Sequence, residues 1–141
     1  MDDAKKELVQ QWLRKAWHDL IVARTLTRRE PFVLDVGTYH SQQVAEKALK
    51  AFLVFNDRDP DRTHDLERLL EMALRFDHGL EELRAAAQRL TPFATLYRYP
   101  SGVTDPGVEQ AEAALVDVAD IYNKVLTSLP SEVHPDTKES G

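Results

Sequence analysis

Apolar residues return every three or four positions along most of the chain, which is the period of one face of a helix. Over residues 3–28 the series is Leu8, Val9, Trp12, Leu13, Ala16, Leu20 and Ala23, and Pro31 ends it. A second series starts at Val33 or Asp35 and runs to Phe55, with Ser41, Val44, Ala45, Ala48, Leu49, Phe52 and Phe55 inward, until the polar run 56–61 breaks it. Thr63 can cap a third helix over 64–74, whose apolar side is Leu66, Leu69, Leu70 and Ala73. A fourth, 80–90, follows the break at Asp77, His78 and Gly79. The last, 106–129, starts at Pro106 and carries Val108, Ala111, Leu115, Val118, Tyr122, Val125 and Leu129. Nothing alternates with the period of a strand, and most breaks are short. The pattern therefore predicts an all-α, up-and-down antiparallel bundle of about five helices over residues 1–129. Residues 130–141 have no periodicity and are expected to form a disordered tail.

Composition narrows the setting. A chain of 141 residues is the size of one domain, and it has no cysteine, so disulfides and thiolate metal sites are excluded. No apolar run is long enough to cross a membrane, which leads to the expectation of a cytoplasmic protein with no membrane partner. The net charge of -6 argues against indiscriminate coating of nucleic acid. Charge is uneven, however: Arg14, Lys15, Arg24, Arg28 and Arg29 face only Asp19 in that stretch, either a basic strip or plain solvated surface. The five histidines show no helical metal pairing, and no Gly-rich phosphate loop or nucleophile elbow occurs. No metal and no cofactor is expected.

Several polar positions stand out against this frame. On a helical wheel Asp19 falls inside the arc of Leu8, Trp12, Ala16, Leu20 and Ala23, where a carboxylate needs a cation or several donors. It could be a register-fixing buried pair or part of a ligand pocket. The same wheel puts Trp17 and Ile21 on the outer side, beside Arg24 and Arg28, either as a dimer face or as packing under the long loop. On the second helix Tyr39, His40, Gln43, Glu46, Lys47 and Lys50 share one polar arc. This arc is either a solvated face with a Glu46 to Lys50 pair or a surface for phosphate and base edges. Arg98, between Tyr97 and Tyr99, joins a cation to rings that can stack on a base or tie the loop to the bundle.

Four segments in order resemble the HEPN family, the higher eukaryotes and prokaryotes nucleotide-binding domains, over residues 8–129. They are Trp12-Leu13-Arg14-Lys15-Ala16 with Asp19-Leu20, the run from Gln42 to Ala51, Thr63-His64-Asp65-Leu66, and Tyr97-Arg98-Tyr99-Pro100. The resemblance implies a helical bundle, commonly a homodimer, often encoded beside a minimal nucleotidyltransferase partner in toxin-antitoxin modules. Many members are metal-independent RNases, with an Arg followed by four to six residues and then His near the start of the last helix. Here Arg98 is followed by Tyr99, Pro100, Ser101, Gly102, Val103 and Thr104, with no His. Arg58 and His64 have that separation but span the loop into the third helix. Without the usual proton carrier the expected function is a non-catalytic nucleotide- or RNA-binding module. In it Lys47, Lys50 and Arg98 meet phosphate, Gln43 and Tyr99 the base, and Glu46 and His64 orient them. The alternatives are an RNase toxin using a site around Arg98, His64 and His40, and a homodimeric interaction protein without a ligand.

Overall fold

The computed structural model describes residues 1–137, all of them in helices and connecting turns with no strand. Helix α1 is Asp3–Arg29, α2 is Leu34–Phe55, α3 is Leu66–Leu74, α4 is Arg84–Leu90 and α5 is Val108–Thr127. They form an antiparallel bundle in which α2 is central, packed against α1 along most of its length and against α5 and α3. That position accounts for its sequence: a helix covered on several sides buries residues all round, and α2 buries fourteen, from Leu34 to Leu53.

Local signals set the helix ends. Asp2 caps α1 by accepting from the amide of Lys5 at 2.8 Å, and Arg28 and Arg29 lie in its last turn, where cations complement the carbonyl dipoles. The α1–α2 turn is tight because Gly37 has no side chain: a Cβ there would meet Thr27 Oγ1 at 3.0 Å. Helix α2 stops in a Schellman motif, in which the amides of Asp57 and Arg58 bond to the carbonyls of Val54 and Leu53. Asp57 takes the left-handed position, with φ 60°, that glycine usually fills.

Several details differ from the sequence pattern, among them the bounds of α5, which runs from Val108 to Thr127 rather than over 106–129. The buried stripe of α1 is Val9, Leu13, Ala16, Leu20 and Ala23, while Leu8 is 44% exposed, so the inward arc sits one residue further on. Helix α3 starts at Leu66, because Asp65 rather than Thr63 caps it, accepting from the amides of Glu67 and Arg68. The fourth helical segment opens as a 3₁₀ turn, His78–Leu83, capped by Asp77, before α4 begins. Finally, residues 130–137 are not a loose tail. Ser131–Val133 make a 3₁₀ turn, Val133 is wholly buried, and His134 donates through Nε2 to the carbonyl of Leu126 at 2.7 Å. This answers carbonyls that the end of α5 leaves free. The expected tail at 138–141 lies outside the described residues.

Candidate functional site

The polar arc of α2 lies partly under the surface, and two carboxylates organise it. Asp19 is buried on α1 and faces α2, which sends it two donors from one face, His40 and Lys47. His40 Nδ1 lies 2.8 Å from Asp19 Oδ1, and Lys47 Nζ bonds to Oδ2. Burial alone would raise the Asp19 carboxyl, but the hydrogen bonds and charges of His40 and Lys47 outweigh it and hold the group below the usual carboxylate range. An ionised carboxylate only accepts, so Nδ1 of His40 is the donor and Nε2 is the ring's remaining nitrogen.

A pocket of about 260 Å³ opens beside His40, lined by Asp35, Val36, Tyr39, His40, Tyr97 and Arg98. The Arg98 guanidinium lies 4.3 Å from the centre of the Tyr39 ring and 5.6 Å from that of Tyr99. The rings of Tyr39 and His40 meet edge to face at 5.6 Å. Phe93 stacks on Tyr97 and anchors the loop that delivers Arg98. A fixed cation, an aromatic wall and an oriented imidazole thus share one opening. Such a set can hold an anion next to a flat ring.

The second carboxylate, Glu46, lies on α2 itself, between His40 and Lys47 in the sequence. Its Oε2 receives Lys50 Nζ at 3.2 Å and His64 Nδ1 at 3.0 Å, while Gln42 and Gln43 reach Oε1 at 3.4 and 3.5 Å. Gln43 also donates to Gln42 Oε1 at 2.7 Å. The side chains of Glu46 and Lys50 are 4% and 6% exposed, so the Glu46 to Lys50 pair exists but is not a solvated one. Lys50, expected to meet phosphate, and Glu46, expected to orient the binding residues, both lie buried. Lys50 lies 5.6 Å over the Trp12 ring, which shields it from solvent.

The seven expected ligand-binding residues therefore divide. Arg98 lines the pocket, Tyr99 lies against its guanidinium with 68% of its surface exposed, and Lys47 is linked to His40 through Asp19. Gln43, Glu46, Lys50 and His64 form the second cluster, from which only His64 projects strongly. Tyr39 and His40 line the pocket; the sequence placed Tyr39 only on the polar arc and His40 also beside Arg98 in the alternative RNase site. Gln42 completes the second cluster, and nothing in its sequence position marks it as fully buried.

On the outer side of α1, Ile21 is 39% exposed. Trp17 is not exposed as the wheel implied. Its ring stacks on Tyr122 of α5 at 6.3 Å and is covered by Arg24, because α5 closes over that flank. Among the described residues no group of acidic or histidine side chains could hold a metal, and no helix is long and apolar enough to cross a membrane.

The model of the HEPN domain matches residues 9–129 of this chain. Two solved structures share its fold. The archaeal HEPN homologue ST0689 is 25% identical, with a TM-score of 0.68 and coverage of 85% of this chain and 96% of that one. TT1696 from Thermus thermophilus is 23% identical, with a TM-score of 0.71 and coverage of 86% and 98%. No curated protein gives a significant match.

Proposed function

Because the chain belongs to the HEPN domain family, we propose that it is a nucleotide- or RNA-binding module whose site is the pocket between α2 and the Arg98 loop. The observation that carries this reading is the guanidinium of Arg98, held 4.3 Å over Tyr39 in the same opening as His40. Arg98 and Lys47 meet phosphate, and Tyr99, exposed beside them, stacks on the base. Gln43 reads a base edge. Glu46 and Lys50 hold the face of α2 in place rather than touch the ligand, and His64 bonds to Glu46 from the surface. The module works as a homodimer through the Ile21 side of α1, with a nucleotidyltransferase-type protein as its further partner, in the cytoplasm. A thermal-shift screen across nucleotides and short RNAs tests the binding, repeated on Lys47→Ala and Arg98→Ala. No shift with any nucleotide or RNA overturns it.

One observation favours a second reading, a ribonuclease. The Asp19 carboxylate fixes the His40 imidazole through Nδ1, as a general base needs, and Arg98 shares the pocket. Degradation of RNA by purified protein, abolished in His40→Gln while binding persists, would establish it. Intact RNA alongside a nucleotide-induced shift leaves the binding module standing.

A further inference from the structure

At the other end of α2, far from the Arg98 loop, three arginines converge on a second cleft of about 270 Å³, lined by Arg58, Arg68, Glu71, Met72, Arg75 and Phe76. Helix α2 separates the two ends by roughly 30 Å at the rise of an α-helix. The backbone sets where these arginines stand. The Schellman turn after α2 sets the direction of Arg58, whose amide bonds to the Leu53 carbonyl at 2.9 Å. Asp61, in the left-handed conformation with φ 58°, turns its carboxylate to Arg68 at 3.2 Å. Arg75 is the residue that ends α3.

The charge of the cleft is not balanced. Arg68 is matched by Asp61, and Glu71 is committed to Arg84 at 2.6 Å. Arg58 and Arg75 meet no carboxylate among the described residues, which leaves two guanidinium groups facing the cleft in a chain of net charge -6. Their neighbouring helix ends favour a cation, but the partial charge of a helix terminus is about half an elementary charge and occupies none of the fork of donors in a guanidinium. The other wall is apolar: Phe76 is 46% exposed and Met72 lies beneath it.

We propose that this cleft is a second binding site, for a small phosphomonoester that carries a flat apolar or aromatic group. The phosphoryl oxygens are bound by Arg58 and Arg75, with Arg68 held in place by Asp61, and the ring lies on Phe76. The chemistry follows from the parts, because two planar forks suit a dianion and the aromatic wall suits a ring. The cleft is large enough for one phosphate with one ring.

Titration of the full chain with phenyl phosphate, inorganic phosphate and phenol, followed by amide chemical shifts, tests the proposal. Phenyl phosphate should bind saturably and move the amides of Met72, Arg75 and Phe76. Inorganic phosphate should bind more weakly, and phenol should not bind. Arg58→Gln and Arg75→Gln should each weaken phenyl phosphate about tenfold, the loss of one charge-assisted contact. Phe76→Ala should bring it down to the level of inorganic phosphate. The amide spectrum of each variant reports whether it is folded, and Arg98→Gln, which alters the other pocket, should leave this binding unchanged. The proposal is overturned if no saturable shift appears at the end of α3, if the shifts cluster at Tyr39 and Arg98, or if folded Arg58→Gln and Arg75→Gln bind like the parent.

Discussion

Asp19 and Glu46 each hold one lysine and one histidine Nδ1, but the two clusters differ in where the lysine comes from and how far it is buried. Lys47 crosses from α2 to reach Asp19 on α1, the carboxylate it shares with His40 of the pocket, and its side chain remains 25% exposed. Lys50 reaches Glu46 within α2, one turn away, and is 6% exposed. A lysine with solvent on one side can turn to an incoming anion, because water softens the loss of its first partner. A lysine under an indole, with its carboxylate also bonded by His64 and two glutamines, has no such freedom. Similar side chains thus build a binding edge at one place and an internal brace at the other. Burial decides between them.

Removing the buried carboxylate tests the brace most severely. Glu46→Leu leaves the Lys50 ammonium uncompensated in the interior and should destabilise the fold by about 3–5 kcal/mol in urea unfolding. Asp19→Asn should lose less, about 1.5–3 kcal/mol at pH 7, because its partners keep access to water. The comparison breaks if Asp19→Asn proves the more damaging. Asp19 also carries a pH signature. Its carboxyl titrates below its ordinary value of 3.8 when folded, so its stabilisation is complete above that value and is lost as pH falls through the folded one. The gap between the parent and Asp19→Asn should stay constant near neutrality and close on acidification. Arg98→Ala should weaken ligand binding about tenfold, near 1.4 kcal/mol, with little change in unfolding.

How much of this was readable beforehand depends on the range of each interaction. The five helical segments were legible because a 3.6-residue period is local, and so was the inward position of Asp19. Boundaries set by competition between neighbours were not. Thr63 and Asp65 are both good caps, and only the turn geometry selects Asp65, whose amide is itself held by Thr63 Oγ1 at 3.1 Å. The order at Val133 was hidden because one apolar residue in a polar segment carries no period, yet it fills a gap at the end of the core. The pocket was half legible. Arg98 and Tyr99 advertise themselves in sequence, whereas His40 and Tyr39 join them only because the Arg98 loop folds back onto the first turns of α2. The burial of Lys50 was not legible because a wheel shows direction but not cover, and the cover is Trp12 from another helix.

The smallest effect separates the two histidines from the two carboxylates. His64 contacts the buried Glu46 but its own side chain is 73% exposed, whereas that of His40 is 28% exposed. A hydrogen bond at the surface exchanges readily for one to water, and exposed charge pairs contribute about 0–1 kcal/mol. His64→Gln should therefore shift unfolding by less than about 1 kcal/mol, even though substitution of Glu46, 3.0 Å away, is expected to have the largest of these effects. Urea unfolding of His64→Gln beside His64→Gln/Glu46→Leu gives the coupling directly. A value near zero places the strength of the brace in Lys50 and the glutamines, and a coupling of several kcal/mol would make His64 part of the brace, erasing the contrast between a braced interior and an adaptable edge.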